Sequence, residues 1–257
     1  MKDSEKRQKV LFDNFAVKYS DHFNDKYSRI YRKKFIDDLM FKGIDLKGKL
    51  VLDAMCGAGT AASYLQRNGA FVVGQDLSFA MLHTCHNQNP DSWVIQSSVL
   101  GSGFKDKLFD VVIIQGGLHH IHPFTGEVTD EVYRILKPGG YFCFSEPYKG
   151  SLPDLVRRFW YKKDPFFEKN ESAVDLDYLM KRNAGRFDFL DCSYMGGLAY
   201  LLVYNSMIFR IPLSVKKFYS PALIALDTLM MNLQGRVVSF FAVCRWRKKV
   251  TPDCSRE

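Results

Sequence analysis

Lys49 to Asp76 reads KLVLDAMCGAGTAASYLQRNGAFVVGQD, and the arrangement of the remaining chain follows from it. Leu50, Val51 and Leu52 form a short apolar run ending in Asp53. A glycine-containing turn follows, then helix-period residues from Thr60 to Arg67, then a second apolar run, Phe71 to Val73, closed by Gly74, Gln75 and Asp76. Strand, glycine loop, helix, strand and acid make a βαβ unit. The loop and the first helical turn leave several amide hydrogens unpaired, which suits negatively charged or polar ligand groups. Asp76 falls about 20 residues beyond the loop, where a ribose diol lies in such units. An adenosine-type ligand is the first expectation.

Two ligand classes fit the unit. Gly57, Gly59 and Ala62 can be read as the G-x-G-x-x-A fingerprint of a nicotinamide or flavin dinucleotide site, which would make the chain an oxidoreductase. Asp53 opposes that reading, because a pyrophosphate would bring like charge to a poorly solvated carboxylate at the mouth of the first strand. A ligand carrying a cation there would be favoured. VLDAMCGAGT also resembles the first motif of class I S-adenosylmethionine-dependent methyltransferases, of the type 11 kind, with Met55 standing where that motif has its first glycine. Their cofactor carries an ammonium, a sulfonium and a carboxylate but no phosphate.

Further segments carry the same resemblance in the same order. Ser78 to Asn87 reads as a helix capped by Ser78, with Leu77 and Met81 placed as apolar walls for an adenine ring. Trp93 to Gln96 reads as a short strand running into Ser97, Ser98 and Val99, where relatives pair a polar residue with the adenine edge. Phe109 to Ile114 is a continuous apolar run, a strand covered on both faces, whose Asp110 sits at the far end and reads as structural. It leads into QGGLHHIHP, similar in form to the family's fourth motif beside the methyl group and acceptor. EVYRILKPGGYFCF resembles the family's helix-turn-strand signature, with a helix from Glu127 to Leu136 and a strand from Tyr141 to Ser145 closed by Glu146 and Pro147.

The resemblance implies an α/β fold: a Rossmann-like doubly wound sheet of about seven strands in one methyltransferase domain, 1–257. Residues 1–48 would form a helical cap, 49–146 the cofactor-binding core, and 147–257 the acceptor side. Within the last, Arg186 to Tyr194 and Arg236 to Arg245 read as paired strands around a helical insertion, 197–235, before the last strand. The implied cofactor is S-adenosylmethionine, held by Tyr19, Asp53, Met55, Cys56, Gly57, Gly59, Thr60, Asp76, Leu77, Met81, Ser98, Val99, Gln115 and Gly116. His120, His119 and Glu146 are the catalytic candidates. Transfer to a hydroxyl must relinquish a proton, and histidine is the natural base near neutral pH. A His-His pair can equally be a loop element bonded to backbone, and a protein that only binds the cofactor would need neither.

Composition bounds the rest. With 47% hydrophobic residues, 257 residues support one decorated domain. The charged start MKDSEKRQKVLFDNF lacks a secretory pattern, so a cytoplasmic protein is expected. Six cysteines without C-x-x-C spacing indicate neither a disulfide framework nor structural zinc, and His83 and His86 lack further ligands, so no metal is expected. The net charge of +8 resides outside the core, since Lys49 to Glu146 holds six Lys or Arg against nine Asp or Glu. No nucleic-acid motif accompanies it. The acceptor is expected to be a small molecule, hydrophobic or lipid-linked, because 197–235 carries two apolar segments, Leu198–Phe209 and Leu223–Leu233, and reads as a lid. Arg210, Lys216, Lys217, Arg245, Arg247, Lys248 and Lys249 could form a basic rim for peripheral membrane contact. Monomer and homodimer remain open.

Overall fold

The computed structural model describes residues 1–161 and 171–250. Its amino-terminal part is helical, with α1 (Asp3–Asn24), α2 (Lys26–Arg32), a π turn at Lys33–Asp37 and α3 (Asp38–Met40). Asp25 breaks α1 from α2 because its extended backbone ends the first helix while its side chain accepts the amides of Tyr27 and Ser28, satisfying donors at the second helix's start. Then come β1 (Leu50–Ala54), α4 (Ala62–Arg67), β2 (Phe71–Asp76), α5 (Phe79–Gln88), β3 (Trp93–Gln96), β4 (Phe109–Gln115), a 3-10 turn at Leu118–His120, α6 (Thr125–Ile135) and β5 (Leu136–Glu146). The chain continues through α7 (Leu152–Tyr161), α8 (Leu176–Asn183), β6 (Phe187–Met195), a π turn at Tyr200–Tyr204, α9 (Leu213–Met230) and β7 (Phe241–Lys248).

The strands form one seven-stranded sheet in the order β3-β2-β1-β4-β5-β7-β6, with β7 antiparallel to both neighbours and the other pairings parallel. This is the Rossmann-like sheet expected from the sequence. Period-two alternation sorts each central strand between two cores. Leu52, Val112, Ile114, Phe142 and Phe144 face one side with Val128, Val132 and Leu179 of α6 and α8. Val51, Val111, Ile113 and Cys143 face the other with Tyr31, Phe35, Met40 and Leu65 from the amino-terminal helices and α4. Strand order reverses at β1, between β2 and β4, and the crevice at the carboxyl ends of these strands is where such sheets bind ligands.

Several boundaries differ from the sequence reading. The last strand begins at Phe241 rather than Arg236, because 235–239 closes a turn in which the amides of Val238 and Ser239 both bond the carbonyl of Gly235. The first apolar segment of 197–235 does not form a long helix: its π turn stops where the amide and side chain of Asn205 both donate to the carbonyl of Tyr200. Pairing of β5 begins already at Leu136, with a register shift opposite Phe109 and Val111. The basic rim loses three members. Lys216 is buried and donates to Asp25, Ser28 and the carbonyl of His22; Lys248 is buried against the carbonyls of Tyr133 and Leu136; Arg245 bonds Asp191 and the carbonyl of Lys42. No helix among the described residues is long and apolar enough to cross a membrane.

Candidate active site

The loop after β1 turns on three left-handed residues, Met55 (φ 58°), Gly57 (φ 51°) and Gly59 (φ 73°). Met55 thus keeps the conformation a glycine would take, at a cost of about 1–2 kcal/mol; its side chain packs on the core beside Gly117. Gly59 lies under the loop, where a Cβ would come within 2.4 Å of Cys85 Sγ, so it shapes the turn from below and does not line the cleft above. Gly57 donates its amide to Asp76 Oδ2 at 2.9 Å, and Asp76 Oδ1 accepts the amide of Ser78 at 2.9 Å, which ties the loop to the end of β2.

Over this loop runs a narrow cleft with about 80 Å³ free, lined by Asp53, Met55, Cys56, Gly57, Thr60, Asp76, Leu77, Met81, Val99, Gln115, Gly116 and Tyr19. Ser4, Glu5, Gln8, Lys9 and Phe12 of α1 close it from above. Ser98 donates its hydroxyl to Glu5, which lines the cleft, and Ser97 lines the cleft directly. The sequence reading missed Glu5, which reaches its partner across 93 residues, and Gln75, whose amide donates to Ser97 Oγ (2.9 Å) and the carbonyl of Ser98 (3.1 Å). Only the neighbouring Asp76 could have hinted at Gln75.

The cleft is rich in acceptors. Burial, reinforced by the Asp76 charge, pushes the Asp53 carboxyl up to about 8; burial also raises Asp76, against three backbone hydrogen bonds that lower it. Buried Gln75 Oε1 and Gln115 Oε1 have no hydrogen-bond partner among the described residues. The Asp76 carboxyl, an Asp53 carboxyl that an adjacent cation would ionise, and two carbonyl oxygens suit a ligand with an ammonium and hydroxyls better than a pyrophosphate. These residues fit S-adenosylmethionine.

A second cavity, of about 620 Å³, adjoins the first and shares Phe12, Tyr19, Gln115, Gly116 and His120 with it. Its other walls are mostly apolar, from Phe23, Val156, Tyr200, Tyr204, Met207 and Phe241. His119, His120 and Glu146 border it. Glu146 Oε1 accepts the amides of Gly117 (2.7 Å) and Leu118 (2.8 Å), and its Oε2 lies 2.8 Å from His119 Nδ1. His120 Nδ1 lies 3.0 Å from Glu171 Oε1. Burial and then the neighbouring His120 lower the His119 pKa. Burial lowers His120 too, but the charge and hydrogen bond of Glu171 outweigh it and raise the net value. Glu171, despite burial, is pulled down to about 2 by His120. The two imidazoles are thus biased in opposite directions, His119 toward its neutral form and His120 toward its cationic form. No motif marked Glu171; its segment is fixed by the amide of Ser172 bonding the carbonyl of His119. His119, His120 and Glu171 place one potential ligand atom each within 4.8 Å of one another, although both imidazoles already pair with carboxylates.

The sheet order, with an acidic cleft at its switch point, is that of Rossmann-like methyltransferase folds, and the residues of that cleft fit S-adenosylmethionine. Residues 52–144 match the methyltransferase domain family. The chain is 36% identical over 107 residues to a phthiotriol/phenolphthiotriol dimycocerosates methyltransferase of Mycobacterium tuberculosis, covering 40% of this chain and 39% of that protein. It is 32% identical over 135 residues to a demethylmenaquinone methyltransferase of Streptomyces avermitilis, covering 51% and 55%. The match therefore spans about two fifths to one half of the length of these curated relatives. Among solved structures, the magnesium protoporphyrin IX methyltransferase of Synechocystis, with bound S-adenosylhomocysteine, superposes with a TM-score of 0.65 at 13% identity over 96% of this chain and all of that one. The PH0226 protein of Pyrococcus horikoshii gives 0.63 at 18% identity over 92% and 99%. These likenesses share the fold.

Proposed function

We propose that this protein transfers a methyl group from S-adenosylmethionine to an oxygen of a hydrophobic small molecule, lipid-linked or quinone-like. The observation that carries this reading is the junction of the two cavities: an acidic cleft for a cationic nucleoside opens, through five shared residues, into a large apolar chamber. The bound cofactor supplies an electrophilic methyl on a sulfonium. Asp53 and Gln115 would receive its amino-acid end, Asp76 its ribose hydroxyls, and Leu77, Met81 and Val99 its adenine ring. Tyr19 packs against the glycine loop and against Phe23, at the boundary of the two cavities.

The remaining chemistry is positioning and proton removal. A neutral His119 donates Nδ1–H to Glu146, which leaves its Nε2 lone pair free to take the proton that an acceptor hydroxyl must release. Glu146 is a positioning residue here, since its oxygens serve the backbone of the 3-10 turn and the imidazole. The segment 197–209 supplies Tyr200, Tyr204 and Met207 to the chamber wall, which supports its reading as a lid. The names of the two curated relatives, which concern dimycocerosates and a menaquinone precursor, agree with an apolar acceptor. Incubating the protein with methyl-labelled S-adenosylmethionine and fractionated lipid and metabolite extracts tests the proposal. Label should appear on a hydrophobic species; label confined to water-soluble species, or no transfer from any fraction, would refute it.

A further inference from the structure

We infer that α7 and the turn before β7 form a membrane-docking surface that sets the mouth of the apolar chamber against an anionic lipid bilayer. The inference rests on the acceptor reading above only for its purpose; the docking itself stands on separate observations. Residues of α7 are arranged inside out. Asp154 is 1% exposed, ion-paired with Arg157 and Arg158, and Arg157 also donates to the carbonyl of Phe240. Leu152, Leu155, Val156 and Phe159, at helical spacing i, i+3, i+4 and i+7, form the outer stripe, and each is more than half exposed. A helix that turns Asp154 and Arg157 inward and presents one apolar stripe outward is built to meet a nonpolar phase.

That stripe is not isolated. The amide of Leu152 donates to the carbonyl of Val237 at 2.8 Å, which joins α7 to a turn exposing Val237 and Val238. The same chain leads back to α9, where Lys216, Ser220 and Asp227 are buried while Leu229, near its end, and Leu233, just past it, are about three-quarters exposed. Two inside-out segments thus meet at one turn.

The occupant follows from where the stripe ends. Leu152, Val156 and Val238 belong both to the exposed patch and to the chamber wall, so the apolar patch continues into the cavity. A bilayer pressed there leaves the mouth open to a hydrophobic molecule moving laterally, whereas a protein partner would seal it. Lys149, Arg158 and Arg236 flank the patch with half-exposed side chains in surface ion pairs, placing cations at headgroup level in a chain of net charge +8. This differs from a rim on Lys216, Arg245 and Lys248, which point inward.

The test is co-sedimentation with vesicles of phosphatidylcholine and phosphatidylglycerol. The protein should partition to the vesicles, and L155D/F159D should lose at least tenfold of that partition while binding S-adenosylhomocysteine normally by calorimetry. Val237→Asp, on the separate turn, provides the same test should the double variant fail to fold. Absence of vesicle binding by the unaltered protein overturns the proposal, as does equal binding by these variants. Self-association abolished by the substitutions, without vesicle binding, assigns the surface to a second copy and also overturns it. Because binding of vesicles and of S-adenosylhomocysteine are read separately, failure of docking leaves the cofactor site standing, and the reverse.

Discussion

His119 Nδ1 lies 2.8 Å from Glu146 Oε2, and the other oxygen of that carboxylate holds the two amides that begin the 3-10 turn. Imidazole orientation and turn geometry are therefore fixed by one buried side chain. His119→Ala should lower kcat by roughly 10²–10⁴-fold with cofactor affinity retained, the usual contribution of a proton acceptor. The pH profile separates the two histidines. A base works deprotonated, so activity on His119, whose pKa is lowered, persists below the ordinary histidine value of about 6.5 before its acid limb falls. If His120 were the base, its raised pKa would place that limb above 6.5. Glu146→Gln should lower kcat and move the limb, with little change in KM.

Asp53 yields a linkage prediction. Its carboxyl is pushed up to about 8 by burial and by Asp76, so at pH 7 it is largely protonated until a cationic ligand arrives. Binding of S-adenosylmethionine should then release a proton, seen as a calorimetric enthalpy that varies with the ionisation enthalpy of the buffer. Asp53→Asn should abolish that dependence. The stability sign is also fixed. A folded pKa above the unfolded value of 3.8 means that ionisation costs stability progressively from about pH 4 to 8, so Asp53→Asn should raise Tm at pH 8 more than at pH 4.

Gly57 and Gly59 share a left-handed backbone but not their surroundings. An added Cβ at Gly57 meets nothing closer than 4.0 Å, whereas at Gly59 it meets Cys85 Sγ at 2.4 Å. Gly57→Ala should cost about 1–2 kcal/mol from conformation alone. Gly59→Ala should add about 1–3 kcal/mol of overpacking. Thermal unfolding of the two variants measures the difference, and equal losses would contradict the packing account.

Glu5, Gln8, Lys9 and Phe12 of α1 lie across the cleft and narrow it. Amides between Glu5 and Phe12 should consequently exchange with solvent faster in the free protein than with S-adenosylhomocysteine bound. Unchanged hydrogen exchange along α1 would show that the cap does not open.

What the sequence disclosed tracks the range of the interactions involved. The loop from Asp53 to Thr60, Asp76 and the Ser78 cap were legible because each acts within a few residues of a strand end. Glu5 and Glu171 were not, since their partners Ser98 and His120 are brought together only by packing of distant segments. The strand expected at Arg236 starts later because the chain first closes a turn on the carbonyl of Gly235, which leaves the apolar Val237 and Val238 exposed.

The account rests most heavily on a cleft built for a cationic, phosphate-free nucleoside, and titration calorimetry against S-adenosylmethionine and NAD addresses it directly. S-adenosylmethionine should bind and NAD should not, and Asp76→Ala should weaken binding at least tenfold, as expected from losing about 1.5–3 kcal/mol of hydrogen bonding to a charged group. Preferential binding of NAD, or undiminished affinity in Asp76→Ala, would contradict it.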